Sequence, residues 1–329
     1  MMKIVFFGTS EFAAPILQTI KEQTDWEVGL VVTEPAKAVG RKQEITESPV
    51  SVYARRVGLE IITPPSLKNT GVIDQIRSAQ ADIMIVAAYG KIIPPEVFNL
   101  PPHKTVNVHP SLLPQLRGPS PIQTALLEGL KETGVSSMVI DEKIDHGPVI
   151  SQEVTTIDDD DNYTTLEAKL AELGGWMIIR DVPKYISGEL KPQEQNHAQA
   201  TFTKMIKKED GLVDWTKSAD EIFNQWRAFI KWPGVYTFLK KMISWRSDLP
   251  LEVGPRSQSV RLKLIDIQKA EHNHKYSPGT VFLSENKELL IACSGGVIKL
   301  IKLQPESKKI ITAEEFLNGH KYIIAQVLT

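Results

Sequence analysis

The sequence predicts an α/β fold: a Rossmann-like, doubly wound parallel sheet followed by a small β-barrel of the OB-like kind. Three observations predict it. Over the first 150 residues, short apolar runs alternate with segments whose apolar residues recur at helical spacing. That is the pattern of strands buried on both faces and joined by helical crossovers. A polar, irregular stretch at residues 187–202 then interrupts it. After residue 207 come short, closely spaced strand-like runs, the pattern of a barrel. A length of 329 residues suits two domains. The expected division is a sheet domain at 1–190, a linker at 191–206 and a barrel domain at 207–329.

The elements follow in order. KIVFF (3–7) is a buried strand ending at Gly8, and Phe12, Ile16, Leu17 and Ile20 after it fall at helical spacing. WEVGLVV (26–32) is a second strand. A helix is expected at 50–57, a strand at 59–63, a helix at 73–79, a long strand at 81–90 and a fifth at 105–109. SSMVI (136–140) and GPVISQEV (147–154) read as a further strand pair. Four acids at 158–161 precede Asn-Tyr-Thr-Thr, which reads as a helix start capped by Thr164 or Thr165, and that helix runs to about Ile186. In the back half a helix is expected at 218–230, then strands in GVYTFLK, SVRLKLIDIQKA, GTVFLS, ELLIACS and GVIKLIKLQ.

Charge is unevenly spread. The whole chain carries 38 basic and 40 acidic residues, but residues 1–206 hold 19 and 26 of them and residues 207–329 hold 19 and 14. A basic back half behind an acidic front hints at a polyanionic partner for the back half, although scatter over a surface would look the same. The lone Cys293 excludes an internal disulfide and any cysteine-based metal cluster, and its apolar setting reads as core. No run approaches 18 apolar residues and the N-terminus lacks a signal-peptide core, so a soluble, cytoplasmic protein without a membrane partner is expected.

Ligands of doubly wound sheets bind outside the carboxyl ends of the strands. Two such ends carry chemistry here, Tyr89-Gly90 and Asn107-x-His109. Asn107 and His109 are two apart on a strand, so both face the same way. An amide donor beside an imidazole suits acyl transfer, one for a developing oxyanion and one for proton handling. A loop with Asp141, Glu142, Asp145 and His146 follows. On spacing alone these residues also read as a structural histidine and a solvent-exposed acidic turn. GTSEF after the first strand lacks the later glycines of a dinucleotide-binding loop, which disfavours a nicotinamide enzyme. His103, His109 and His146 have no ligand-like spacing, so no metal is expected.

The wording N-x-H-P-S-L-L-P-x-x-R-G (Asn107 to Gly118), followed by Asp145-His146-Gly147-Pro148, resembles the folate-dependent formyltransferases. The resemblance extends over nearly the whole chain, through GTSEFAAP (8–15), AAYGKIIPPEVF (87–98), AELGG (171–175), KWPGVYTFL (231–239), LQPESKK (303–309) and EEFLNG (314–319). The W-P-G-x-Y segment is similar to that of members whose acceptor is initiator methionyl-tRNA. The resemblance implies 10-formyltetrahydrofolate as donor and the α-amine of methionine on initiator methionyl-tRNA as acceptor. It implies Asn107 as oxyanion donor, His109 as stabiliser and proton carrier, and Asp145 as the group that orients His109 and assists amine deprotonation. It places the folate against Tyr89, Gly90, Lys91, Ile92, Ile93, Ser111, Leu112, Leu113, Pro114, Asp141 and Glu142. It places tRNA on Lys37, Arg41 and Lys42, in a long polar loop at 33–50 that Glu44 and Glu47 make less basic than usual. A monomer is expected, and the alternative acceptor is a small amine such as a sugar-nucleotide amine. Gln115, Pro119-Ser120 and His146 depart from the usual wording.

Overall fold

The computed structural model describes residues 1–39, 43–240 and 259–329. It divides into two compact units, Met1–Ala125 with Leu130–Met205, and Leu126–Gly129 with Ile206–Thr329.

The first unit is built on a seven-stranded sheet. Its strands are β1 (Lys3–Gly8), β2 (Glu27–Val32), β5 (Ile61–Ile62), β6 (Ile83–Ala87), β7 (Thr105–His109), β8 (Glu132–Val139) and β9 (Val149–Thr156), in the order β5-β2-β1-β6-β7-β8-β9. The first five in that order are parallel, and β8 and β9 are added antiparallel. β3 (Lys37–Val39) and β4 (Glu44–Thr46) form a separate hairpin within the loop at 33–50. The doubly wound reading thus holds, with β7 as the strand where direction reverses.

The buried strands have both faces covered. Val5, Phe7, Leu30, Val32, Met84 and Val86 alternate along β1, β2 and β6 and pack with Leu67, Ile76, Tyr89 and Val97. Ile76 lies on α3 (Thr70–Ser78) and Val97 on the short α4 (Pro95–Phe98). Burying each such side chain fully is worth about 1.5–3 kcal/mol. The other face is served by α1 (Ala13–Gln23), beside α2 (Pro49–Arg56), and by α6 (Tyr163–Ile186), while the short α5 (Pro121–Leu127) lies between β7 and β8 in the chain. The glycine pair of AELGG lets α6 come close. A Cβ on Gly174 would lie 2.9 Å from Val108 of β7, and one on Gly175 would lie 2.8 Å from Thr19 of α1.

Two expectations change. Asn162, not Thr164 or Thr165, caps α6: its side chain accepts from the Thr164 and Thr165 N–H groups, while Thr165 reciprocates to the Asn162 backbone. A carboxamide two residues before Thr164 reaches the orphan donors of the first turn. The stretch expected as a linker also lies largely on the first unit. Gln193 and Val149 exchange two backbone hydrogen bonds of 2.8 Å, and Arg117 does the same with Thr201 and Thr203. Polar, irregular sequence reads as a spacer, yet here it supplies partners for loop backbone.

The second unit has α7 (Ala219–Phe229) and antiparallel strands β10 (Val235–Lys240), β11 (Ser259–Ala270), β12 (Val281–Leu283), β13 (Leu289–Ala292), β14 (Val297–Pro305) and β15 (Ile311–Thr312), with α8 (Ala313–Gly319) after them. The main path runs β10-β11-β14-β13-β12 and β15 pairs with β14. β11 breaks register around Asp266, the kind of bulge that bends a long strand. Residues 325–329 then span the gap between the two edges. Thr329 pairs with Phe238 of β10, and Ala325, Gln326 and Leu328 pair with Gly279 and Val281. The antiparallel path is thereby closed, as a barrel requires. Cys293 is buried in it, as expected.

Candidate active site

β7 delivers two residues of the expected trio from its carboxyl end. Its neighbours β6 and β8 fix their height: Asn107 stands opposite Val86 and Met138, and His109 opposite Ser136. Asp145 arrives from the β8–β9 loop. Its Oδ1 lies 3.5 Å from Asn107 Nδ2 and 3.7 Å from His109 Nδ1. The structure therefore brings Asn107, His109 and Asp145 together across 36–38 residues of sequence.

The tautomer of His109 is set elsewhere. Nε2 lies 3.0 Å from the Leu116 carbonyl oxygen. A carbonyl only accepts, so Nε2 carries hydrogen and Nδ1 is the nitrogen turned toward Asp145. The expectation that Asp145 holds the tautomer thus gives way to a backbone contact, because 3.7 Å is too long for a hydrogen bond. Leu116 is itself unusual, with φ +56.

Asp145 is held by backbone and by side chains not foreseen in the sequence. Its Oδ2 accepts the Gly118 N–H at 2.7 Å. Its φ is +48, a left-handed conformation that costs an L-residue about 1–2 kcal/mol. Gln195 Nε2 donates to the carbonyls of Asp145 (3.0 Å) and Gly147 (2.7 Å), and Gln195 Oε1 accepts from Arg117 Nε (3.2 Å) and Nη2 (2.6 Å). Arg117 also donates to His197 Nδ1 at 2.9 Å. Burial pulls the Arg117 guanidinium below its ordinary range, against the pull of Asp145 and Asp141. His197 is likewise lowered, by desolvation first and then by His146 and Arg117. The His146 and His197 rings stack at 3.9 Å, and His146 Nδ1 sits 2.6 Å from Asp141 Oδ2. Gly147 admits no side chain, since a Cβ would fall 1.9 Å from the Val139 carbonyl oxygen.

The residues expected around the folate divide by what they leave available. Ser111 and Leu113 are buried, and their polar groups are engaged within the loop: Ser136 Oγ donates to the Ser111 carbonyl and accepts the Leu113 N–H, and Gln152 donates to the Leu113 carbonyl. They, with Leu112 and Pro114 beside them, shape a wall. At the end of β6 the run Tyr89 to Ile93 offers more. Gly90 has φ +87 and Ile92 is 85% exposed, while Lys91 Nζ donates to the Pro64 and Pro65 carbonyls. Tyr89 is buried with its hydroxyl lacking a hydrogen-bond partner, as is the Ser10 hydroxyl nearby in the chain's first loop. Burial, with the Glu34 carboxylate adding to it, pushes the Tyr89 phenol up to about 12. The two hydroxyls are sealed from solvent, whereas Gly90 and Ile92 are exposed. Asp141 is tied to His146, and Glu142 is exposed.

Lys37 stands on β3 with its ammonium 2.7 Å from Glu34. Arg41 and Lys42 lie outside the described residues. Among the described residues, no group of three metal-binding side chains is present.

Fold and site together define a formyl-transferring enzyme, and the chain belongs to the formyl transferase family. The family model described as formyl transferase matches residues 2–182, and the formyl transferase C-terminal domain matches residues 205–321. The chain is 38% identical over 320 residues to the methionyl-tRNA formyltransferase of Myxococcus xanthus, covering 97% of this chain and 95% of that protein. It is 37% identical to the protein of that name from Thermodesulfovibrio yellowstonii, covering 97% and 96%. Among solved structures it resembles an N-formyltransferase from Helicobacter canadensis bound to folinic acid and dTDP-3-aminofucose, with TM-score 0.62 at 20% identity, covering 91% of this chain and 99% of that one. HypX from Aquifex aeolicus with tetrahydrofolic acid gives TM-score 0.62 at 16% identity, covering 96% and 47%.

Proposed function

We propose that this enzyme transfers the formyl group of 10-formyltetrahydrofolate to the α-amine of methionine on initiator methionyl-tRNA. The observation that carries the chemistry is the convergence of Asn107, His109 and Asp145 within 3.7 Å at the carboxyl end of β7. The choice of acceptor is supported by relatives of that name over nearly full length and by the basic back half of the chain.

The folate supplies an activated formyl group on nitrogen; the remaining work falls to the chain. Asn107 donates an amide N–H to the carbonyl oxygen as it becomes an oxyanion, a contribution of about 10²–10³ in rate where such donors have been removed. His109 stands beside it as second donor. With Nε2–H committed to the Leu116 carbonyl, neutral His109 keeps Nδ1 as the acceptor facing Asp145, and it becomes a donor on taking up a proton there. Asp145 takes the proton that the amine sheds on attack and passes it to His109 Nδ1, which delivers it to the departing nitrogen, so the proton lost by the amine is the one gained by the leaving group. Tyr89 to Ile93, with Asp141 and Glu142, hold the folate by backbone and polar contacts, while Ser111 to Pro114 form the wall beside the formyl group. Lys37, Arg41 and Lys42 contact tRNA phosphates. The trio is complete within one chain, which suits a monomer, and a part in translation initiation suits a cytoplasmic enzyme.

The test is a formyl-transfer assay with initiator methionyl-tRNA, free methionine and a sugar-nucleotide amine offered separately. Formylation of the charged tRNA alone is expected, with affinity falling steeply with salt as phosphate contacts require. Transfer to the sugar-nucleotide amine alone would leave the trio standing and overturn the acceptor.

A further inference from the structure

We propose that Gln195, anchored by Arg117, is the positioning residue that holds Asp145 in its working conformation. The inference rests on the reading of Asp145 as the proton acceptor. Gln195 comes from the polar stretch after α6, 50 residues beyond Asp145 and 78 beyond Arg117. Its side chain is buried and every hydrogen-bonding position on it faces a loop of the site. The amide nitrogen reaches the carbonyls of Asp145 and Gly147; the amide oxygen receives two N–H groups of Arg117.

A left-handed residue persists only where its surroundings over-determine it. Besides the long 3.5 Å bond from Asn107, Asp145 has two short restraints: the Gly118 N–H on its carboxylate and the Gln195 amide on its carbonyl. Without the second, two loop carbonyls lose their donor and the backbone is free to relax to negative φ. Relaxation swings Oδ1 away from Asn107 and His109.

The anchor is itself enclosed. Arg117 is 2% exposed, donates to His197 Nδ1, lies 5.9 Å from the Phe202 ring centroid, and exchanges backbone hydrogen bonds with Thr201 and Thr203. Its Nε and Nη2 hydrogen bonds go to neutral acceptors, so a buried cation serves to fix one amide. The direction of that amide is unambiguous: a guanidinium only donates, so the side-chain oxygen must face Arg117 and the nitrogen must face the Asp145 loop.

The experiment is a double-mutant cycle in formyl transfer, with kcat and both KM values measured. Gln195→Ala should lower kcat by about 10- to 100-fold, the scale of a misplacement near 1 Å, with each KM changed less than about threefold. In an Asp145→Asn background the same substitution should change kcat by less than about threefold, because its effect passes through Asp145. Gln195→Glu guards against a folding defect: it keeps an acceptor for Arg117 but cannot donate to the two carbonyls. The ion pair with Arg117 offsets part of the lost donation, so this variant should still melt cooperatively well above the assay temperature and show the same loss of kcat. A full additive loss in both backgrounds, or a fully active Gln195→Glu enzyme, would overturn the proposal. An Asp145→Asn enzyme as active as the parent would instead sink the reading of the trio, a different result.

Discussion

Replacing Asn107 by alanine separates catalysis from folding. The side chain projects from the middle of the sheet, and its bond to Asp145, at 3.5 Å, is at the outer limit of hydrogen-bonding distance. Such a bond contributes at most about 0.5–1.5 kcal/mol, which moves the melting temperature of a unit this size by about 1–6 °C. The lost oxyanion donor costs about 2.7–4 kcal/mol of transition-state stabilisation, or 10²–10³ in kcat. Steady-state formylation at saturating folate, run beside a thermal melt, reads both. The aspartate variant gives a second check: two carboxylates 3.5 Å apart repel by about 5 kcal/mol at an effective dielectric near 20, so Asn107→Asp restores shape without restoring function. An alanine variant within tenfold of the parent, or one whose melt collapses in proportion to its activity, would refute the role.

Further outcomes follow from the same geometry. Gly147→Ala should yield little folded protein on expression, because its Cβ would meet the Val139 carbonyl oxygen at 1.9 Å, and backbone must move to admit it. Asp181 is buried, which alone would raise its carboxyl, but hydrogen bonds from Arg180 and Ser151 outweigh that and hold it below the ordinary value. Its contribution to stability is therefore present above the unfolded value of 3.8 and lost as pH falls through the folded one. Denaturant melts should show parent and Asp181→Asn far apart at pH 7 and converging in strong acid. Burial pushes the Cys293 thiol up to about 12, so a maleimide should label it only after unfolding, which mass spectrometry can follow.

The parallel sheet was legible because its strands are fully buried and so appear as unbroken apolar runs, as in IVFF of β1. Asn107 and His109 stood out because period-two spacing places both on one face of a strand. The hairpin β3–β4 and the short α4 were not legible, since neither carries enough periodic residues to rise above a loop, whereas the two-residue β5 lies inside the strand expected at 59–63. α8 did leave a trace, the capping box of Thr312 and Glu315, in a segment noted only for its wording. Leu116 acts through its carbonyl, a group every residue has, so no sequence signal could single it out. Gln195 was hidden for another reason. Its partners lie 48 to 78 positions away and its neighbours are polar, so composition reads the whole stretch as a spacer when it is a set of donors and acceptors for loops.

The site is thus assembled from parts far apart along the chain, and this bears on how activity disappears. Secondary structure in β1, β6 and β7 rests on buried side chains, whereas residues 193–204 are held mainly by hydrogen bonds to loops. Segments of that kind open with the least free energy and exchange their amide hydrogens first. In rising denaturant, transfer activity should vanish while the sheet's circular dichroism is still intact, and the amides of Thr201 and Thr203 should exchange well ahead of those in β7. Inactivation of this enzyme would then begin as a local detachment of one strap of chain, with global unfolding a later event.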